Sequence, residues 1–355
     1  MKNLCAQVDR LSKKVYIVYT MIILGYDTAL EYWRRLSSHC GENNCVISRG
    51  HSAYRSEKHE ICKINPPTDQ PDLKMIESEN AWGLVLPLDI LLGKASARSR
   101  SQIVRQHVFT GQTPLGSFLC DTDGLIVSSP EFCFYQMAST LSIVELIELA
   151  FELCGSYSLP ERLPLHKQEQ EPAKGFCNRR PLTNLRKLKS YASKMSGVQG
   201  YRKVQRALQH VVQGAASPME SKLTMLLTLP YRFGGYGFTA PELNRCIEIS
   251  RSAKVRASKK HYYCDLFWPD HQLAVEYDSN LFHTGPTRIA RDSKRRNSLI
   301  SLGITVITVT NQQMRNSREF EKVARQIAVC MDKRLQLKRP EFFNAHQVLR
   351  RLLLE

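Results

Sequence analysis

The chain has 355 residues, of which 43% are hydrophobic, and it carries 50 Lys and Arg against 33 Asp and Glu, a formal net charge of +17. This composition excludes a wholly disordered chain, because it supplies enough apolar surface for two or three hydrophobic cores. The excess positive charge favours a polyanionic partner, and nucleic acid before a membrane surface. We therefore expect nucleic acid as the partner and no membrane association.

The first predicted element is the apolar stretch from Val15 to Leu24. It is too short to span a bilayer and no small-residue cleavage pattern follows it, so it predicts a buried helix. The eleven cysteines are odd in number and follow no regular framework, which favours reduced thiols and a cytoplasmic location. Possible zinc ligands are His39, Cys40, Cys45, His51, His59 and Cys62. Their irregular spacing, without a CxxC pair, instead favours chance cysteines in a loop.

The first two predicted regions meet near residue 75. Residues 1–75 form an N-terminal region of unknown role, which ends in the proline-rich stretch INPPTDQPDL. Residues 76–214 predict an α+β region that opens with short strands. A helix then begins with Ser129 as N-cap and Pro130 in its first turn, and a second helix covers about 142–154.

Two basic helices are predicted at the end of this region, separated near Gly197–Gly200. The first carries Arg186, Lys187 and Lys189. Two interpretations of these side chains stay open: a solvated helical face, or a surface that contacts DNA phosphates.

Residues 215–340 predict a third unit, in the order helix, strand, strand, strand, helix, strand, helix. This order gives a mixed sheet flanked by helices, so the fold class is α/β. The first helix is predicted to begin at Ser217, with Glu220 completing a capping box. A strand is predicted around 246–249, and a closing helix over 317–338.

The hairpin formed by HYYCDLFW and QLAVEYD carries an unusual set of acids. A four-residue loop pairs Trp268 with Leu273 and sets Asp265 opposite Glu276, with Cβ atoms roughly 5 Å apart. A three-residue loop would instead set Cys264 opposite Glu276. In the first register Asp278 lies on the same face as Glu276. Facing carboxylates repel each other, and hard oxygen ligands suit Mg²⁺ or Mn²⁺, so the pattern indicates a metal site.

A family resemblance rests on these residues. The run Asp265, Glu276-Tyr277-Asp278, His283, Arg291-Asp292 and Arg295, followed by LISLGITVITVT, resembles the very-short-patch-repair-like endonuclease domain of the PD-(D/E)XK nuclease superfamily. The resemblance covers about residues 215–335. More loosely, the upstream stretch GLIVSSPEFCFYQMA resembles the forepart of relatives of AbiEi-type antitoxins that share this C-terminal domain.

The resemblance implies a restriction-endonuclease-like fold and a DNA endonuclease dependent on Mg²⁺ or Mn²⁺, acting in DNA repair or in defence against foreign DNA. Asp265 and Glu276 would hold the metal, and Glu220 would support the site from its helix. His283 would act as general acid or base, or hold a metal-bound water. Asp278 stands where the wider superfamily has a lysine, as in this branch, and Ser279 replaces the usual glycine.

Other interpretations stay open. Arg291, Arg295 and Arg296 form either DNA phosphate contacts or a solvated face with Asp292. Glu220 is either a site residue or a capping residue only. The alternative function is a non-cleaving DNA-binding regulator or antitoxin that retains the nuclease fold, with an unidentified protein or toxin partner.

Overall fold

The structure is a computed structural model that describes residues 21–38, 59–73, 76, 84–121, 124–160, 175–248, 261–278, 286–337 and 340–355. For residues 37–38, 286–292 and 340 it describes the backbone only. The described chain is of the mixed α/β class, as predicted.

The strands form three sheets. They are β1 (Ile23–Leu24), β2 (Glu60–Cys62), β3 (Leu88–Leu92), β4 (Val104–Val108), β5 (Phe118–Cys120), β6 (Ile126–Ser128), β7 (Tyr157–Ser158), β8 (Cys177–Asn178), β9 (Glu242–Glu248), β10 (His261–Trp268), β11 (Leu273–Asp278) and β12 (Thr305–Thr310). The N-terminal sheet has the order β2-β5-β6-β1-β3-β4, the C-terminal sheet has the order β12-β11-β10-β9, and β7 pairs with β8. In the C-terminal sheet β9, β10 and β11 are antiparallel neighbours, whereas β11 and β12 run parallel. That sheet is therefore mixed, as the order of elements predicted.

The helices lie before, between and after these strands. They are α1 (Tyr26–Ser38), α2 (Pro130–Met137), α3 (Ile143–Cys154), α4 (Leu185–Ser193), α5 (Tyr201–Leu208), α6 (Pro218–Thr228), α7 (Pro286–Ile300), α8 (Asn311–Arg315), α9 (Ser317–Cys330) and α10 (Pro340–Leu354). Within the described ranges, none of them combines the length and the apolar character needed to cross a membrane.

Local capping chemistry fixes several helix starts. The hydroxyls of Ser129, Ser142 and Ser217 each accept a hydrogen bond from a backbone N–H in the first turn of α2, α3 and α6. Pro130 and Pro218 then occupy the first helical position, where their missing N–H has no partner to lose. The predicted starts of these helices are confirmed.

The break between the two basic helices has a backbone cause. Gly197 and Gly200 have φ angles of +83° and +93°, in the left-handed region that glycine adopts without steric cost. Helix α4 ends before the first glycine, and Gly200 is the N-cap of α5. The predicted interruption is confirmed.

One continuous apolar core joins the N-terminal sheet, most helices and one face of the C-terminal sheet; it includes Trp33, Phe132, Leu226, Val275 and Leu353. A second cluster lies between the other face of that sheet and α7. Its members are Tyr262, Cys264, Phe267, Ala274, Leu299 and Ile304. Burial on both faces explains why LAVEYD begins as an apolar run before its acids appear.

Contacts cross the predicted boundary at residue 214. The Tyr157 hydroxyl lies 2.9 Å from Ser221 Oγ, and Lys222 Nζ lies 3.8 Å from Glu148 Oε1. Helices α3 and α6 therefore pack directly on each other. The division into units 1–75, 76–214 and 215–340 stays a prediction.

Three predicted elements differ from the structure. Residues 23–24 of the apolar N-terminal stretch form a strand, not a helix, because they pair with β3 and β6 inside the N-terminal sheet. The strand predicted around 246–249 begins earlier, at Glu242. The closing helix predicted over 317–338 ends at Cys330, and a further helix, α10, follows from Pro340.

Candidate functional site

The hairpin register is confirmed, but the strand is distorted at Asp265. Trp268 pairs with Leu273, and Leu266 pairs with Val275. The ladder with β9 pairs Cys264 and Leu266 but skips Asp265. Cys264 and Phe267 share one sheet face, whereas Leu266 lies on the other, so the strict alternation of a strand is interrupted at this residue.

This interruption redirects the Asp265 side chain. Bulge-like irregularities next to active sites commonly re-aim a side chain in this way. Asp265 Oδ2 accepts a hydrogen bond of 2.9 Å from the backbone N–H of Tyr277 on β11. The ladder therefore ends one pair before the predicted Asp265–Glu276 pair, and Asp265 contacts the backbone of β11 instead.

Glu220 of α6 lies near Asp265 and contacts β9. Its buried carboxylate accepts hydrogen bonds from Ala216 N (2.8 Å), from Ser217 Oγ (3.0 Å) and from the side-chain amide of Asn244 (2.7 Å). The Ser217 hydroxyl caps α6 as predicted, because it accepts a hydrogen bond from Glu220 N. The backbone N–H that donates to the Glu220 carboxylate, however, is that of Ala216, one residue before the N-cap. The third donor, on β9, is not part of any capping arrangement. Glu220 is therefore more than a capping residue.

Asn244 was missed by sequence analysis. It has a φ of +49° within β9, and its side-chain amide also donates to the Gly214 carbonyl at 3.0 Å. Asn is among the few residues that tolerate this left-handed conformation. An Asn inside a strand-forming stretch was the available signal.

We expect Asn244→Ala to destabilise the protein by about 2–5 kcal/mol. The variant removes a donor from a buried carboxylate, at roughly 1–3 kcal/mol, and forces an alanine into a left-handed conformation, at roughly 1–2 kcal/mol. Asn244→Gly is the matched control, because it removes the amide but tolerates the backbone angle. Urea unfolding should rank wild type above the glycine variant and the glycine variant above alanine. Equal stability of the two variants would contradict the backbone part of this account.

The pKa values of two acids of this cluster are raised. Burial and the neighbouring Asp265 carboxylate raise the pKa of Glu220, against the lowering effect of its hydrogen bonds. Burial also raises the pKa of Asp265, which the Tyr277 amide and the Arg295 charge partly oppose. The buried Glu220 and the half-buried Asp265 are thus close enough to raise the pKa of Glu220, and added positive charge would stabilise both carboxylates.

Arginines of α7 supply part of that positive charge. Arg295 Nη2 lies 2.7 Å from Glu276 Oε1, and the same group donates to the Tyr263 carbonyl. Arg296 Nη2 donates to Thr308 Oγ1 at 2.9 Å, and Thr308 is the β12 partner of Glu276. Arg295 and Arg296 therefore lie against the acidic cluster rather than on a purely solvated face.

The donor chemistry of the cluster suits a hard divalent cation. Asp265 and Glu276 offer carboxylate oxygens from adjacent strands, the ligand type that Mg²⁺ and Mn²⁺ prefer. Asp278 follows on the same strand as Glu276 and is half-buried. Among the described residues, however, no three His, Cys, Asp or Glu side chains are grouped closely enough to form a metal site. His283 and the Arg291 side chain lie outside the described residues.

Two basic residues of α4 border a groove beside the start of β9. Arg186 and Lys189 line a groove of about 690 Å³ together with Glu242 and Leu243 of β9, immediately before Asn244. Lys187 is half-buried and, with Arg186, lines a separate cavity of about 330 Å³. The structure thus brings Arg186 and Lys189 to the β9 side of the acidic cluster.

The possible zinc ligands are only partly described. Cys62 lies on β2, and His59 Nε2 lies 2.7 Å from the Tyr32 hydroxyl. The other four residues, His39, Cys40, Cys45 and His51, lie outside the described residues. The expectation that this segment binds no zinc stays a prediction.

Comparisons with known proteins give limited information. Two uncharacterized proteins from two strains of Mycobacterium tuberculosis are each 31% identical to the chain over 119 residues. The match covers 34% of this chain and 38% of each relative, so the chain spans well under half the length of the relatives it matches. No family model matches the chain. No solved structure matches it either.

Proposed function

We propose that the C-terminal unit is a metal-dependent DNA endonuclease of the very-short-patch-repair-like PD-(D/E)XK type, acting in DNA repair or in defence against foreign DNA. The observation that carries this proposal is the approach of Glu220 on α6 to Asp265 on β10 beside an interrupted strand, with Glu276 on the adjacent strand β11. The pKa values of Glu220 and Asp265 are raised, and acids with such shifted pKa values cluster at functional sites. Hydrolysis of a phosphodiester is the chemistry that such a carboxylate set supports best.

In this proposal Asp265 and Glu276 hold Mg²⁺ or Mn²⁺. The bound ion would polarise the phosphodiester and lower the pKa of the attacking water. Glu220 is held in place by three hydrogen-bond donors. It supports the two ligands from its helix, and its negative charge favours cation binding.

The arginines of α7 have a second role in the proposal. Arg295 forms an ion pair with Glu276 in this structure. Its guanidinium can release that carboxylate and bind a phosphate of the substrate instead, because a guanidinium group matches the oxygens of both. Arg296 adds a second positive charge on the same helix. Arg291, whose side chain lies outside the described residues, stays a predicted phosphate contact. His283, as the family resemblance implies, serves as general acid or base.

The alternative, a non-cleaving DNA-binding regulator or antitoxin, also has an observation in its favour. The Arg295–Glu276 ion pair compensates one acid of the cluster with a charge from the chain itself. A site that is neutralised internally retains the fold without a metal ion. Such a protein would bind DNA without cutting it, and it would have an unidentified protein or toxin as a second partner.

Cleavage of plasmid and oligonucleotide DNA with Mg²⁺, with Mn²⁺ and with EDTA separates the two functions. The endonuclease proposal expects nicking or cutting with either ion and none with EDTA. Duplex, mismatched and single-stranded substrates are needed, because the sequence specificity is not known in advance. Binding to all of these without any cutting favours the regulator, and absence of both binding and cutting contradicts both functions.

DNA binding is expected to weaken steeply as salt rises, because Lys and Arg contacts release counterions from the phosphates. Neutralising Arg186, Lys187 and Lys189 together should lower affinity and reduce the dependence of log Kd on log salt by about two to three, roughly one for each lost contact. Fluorescence anisotropy across a salt series measures both quantities. Neutralising Lys322 and Arg325, two exposed residues of α9, is the control. Unchanged binding at every salt concentration would exclude α4 from the DNA interface.

A further inference from the structure

A second basic cluster lies where α8, α9 and α10 meet, after the end of β12. These elements border a cleft of about 250 Å³ lined by Arg315, Ser317, Gln347, Arg350, Arg351 and Glu355. Three arginines thus face one carboxylate, so the cleft is strongly electropositive. None of its residues belongs to the carboxylate cluster of β10 and β11.

Arg350 is the unusual member of this cluster. It is only 6% exposed, its Nη2 donates to the Met314 carbonyl at 2.8 Å, and its guanidinium carbon lies 5.7 Å from the centre of the Phe320 ring. Its other terminal nitrogen, Nη1, is buried and has no hydrogen-bond partner among the residues that the structure describes. A buried charged donor without a partner is costly, so the position calls for an anionic acceptor in the cleft.

The neighbouring groups are arranged to serve the same acceptor. Arg315 is held in place because its Nη1 donates to the Leu354 carbonyl at 3.0 Å and its Nε donates to Asn311 Oδ1 at 3.2 Å. Ser317 is the first residue of the 14-residue helix α9, whose N-terminal end carries partial positive charge. The Arg351 side chain is 72% exposed, and its Nε lies 4.0 Å from Glu355 Oε2.

We propose that this cleft binds a single phosphate group. Arginine forks match the oxygens of a phosphate, and a helix N-terminus adds favourable dipoles. The cleft is smaller than the roughly 300–1,000 Å³ of sites for drug-sized ligands, which fits one tetrahedral group rather than a whole nucleotide. The phosphate is either a small anion or part of a DNA backbone.

The position of the cleft is compatible with a backbone phosphate. Thr310, the last residue of β12, pairs with Asp278 of β11 and is the N-cap of α8, the short helix that ends at Arg315. Arg315 is therefore one short helix away from the end of β11, the strand that carries Glu276. The phosphate site itself does not depend on catalysis, so a failure of the endonuclease proposal leaves it standing.

Thermal unfolding of the full chain tests the site directly. Sodium phosphate should raise the Tm of the wild type more than sodium chloride at equal ionic strength, because a ligand that binds only the folded state stabilises it. The double variant Arg315→Gln, Arg351→Gln should lose this phosphate-specific rise, with at least a tenfold weaker phosphate affinity. Both arginines are exposed, so the variant is expected to fold, whereas Arg350 supports the core. Arg325→Gln, an exposed arginine of α9 paired with Glu321, is the matched control and should retain the rise.

DNA binding across a salt series identifies the source of the phosphate. If the cleft binds the DNA backbone, the double variant should reduce the slope of log Kd against log salt by about one, and Arg325→Gln should not. If it binds a small anion, the double variant should lose the thermal response while DNA binding stays unchanged. Absence of a phosphate-specific Tm rise in the wild type together with wild-type DNA binding by the double variant overturns the proposal. An equal loss in Arg325→Gln overturns it as well, because the effect would then be one of net charge.

Discussion

Asp265→Asn is expected to remove DNA cleavage, by at least roughly a thousandfold, while leaving the metal-free fold as stable as the wild type or slightly more stable. Several kcal/mol of transition-state stabilisation by a bound cation correspond to such a loss of rate. The asparagine keeps an oxygen that can accept the hydrogen bond from Tyr277 N, and it removes the like charge beside Glu220. A loss of activity together with an intact fold distinguishes a working site from a structural one.

Asp270→Asn is the matched control for this experiment. Asp270 lies in the exposed turn between β10 and β11, so the same substitution is made on the same hairpin without touching the acids. Cleavage rates and unfolding temperatures should be measured for the wild type and both variants, with and without Mn²⁺. Equal cutting by wild type and Asp265→Asn would show that the activity lies at another site or comes from a contaminant.

A substitution at Glu276 is harder to interpret in the same test, because it changes two interactions at once. Sequence reasoning alone predicts that its removal relieves repulsion between facing acids. In the structure, however, Glu276 pairs with Arg295, so its removal leaves a guanidinium beside Asp265 without that partner. Loss of cleavage in a Glu276 variant therefore combines the loss of a ligand with a rearranged arginine.

Local features of this fold were readable from the sequence. The Ser129 and Ser217 caps, each followed by proline, and the loop that pairs Trp268 with Leu273 depend on neighbouring residues only, and all three are found in the structure. The acids Asp265 and Glu276 were recognised because charged residues interrupt an apolar strand.

The missed features depend on tertiary contacts. The interruption at Asp265 and the left-handed Asn244 arise from the way β9, β10 and α6 meet, which no local pattern encodes. The predicted third unit ends at residue 340, where helix α10 begins, and no helix was predicted there, although proline suits the first turn of a helix. Arg350 is notable only through its burial against Phe320, since neighbouring arginines such as Arg350 and Arg351 ordinarily indicate a solvated surface.

A buried ion pair in the N-terminal half gives the largest expected effect on stability. Arg34 of α1 donates from Nε and Nη2 to the two carboxylate oxygens of Glu152 on α3, at 2.8 and 2.6 Å. The Glu152 side chain is 2% exposed, and its Oε1 also accepts from Leu159 N at 3.1 Å. This pair joins α1 to α3 across the core of the N-terminal sheet.

Glu152→Gln should lower the free energy of unfolding by about 3–5 kcal/mol, because it leaves the largely buried Arg34 without its counter-charge. The exposed Glu319→Gln, which breaks a surface pair with Lys322, is the control and should cost less than about 1 kcal/mol. Replacing both partners, with Arg34→Met and Glu152→Met, should recover much of the loss, since apolar residues carry no desolvation penalty. A double variant as unstable as Glu152→Gln would show that shape rather than charge controls this contact.

The same pair predicts a pH dependence with a definite sign. Burial alone would raise the pKa of Glu152, but the Arg34 charge and its hydrogen bonds hold it below the ordinary value. A carboxyl with a lowered pKa in the folded state contributes stability above its unfolded pKa, about 4.3 for glutamate, and loses that contribution as pH falls through the folded value. The stability difference between wild type and Glu152→Gln should therefore be constant near neutral pH and shrink as the pH falls below about 4.3. Urea unfolding of both proteins across this range measures the difference, and a gap that widens on acidification would contradict the ion-pair account.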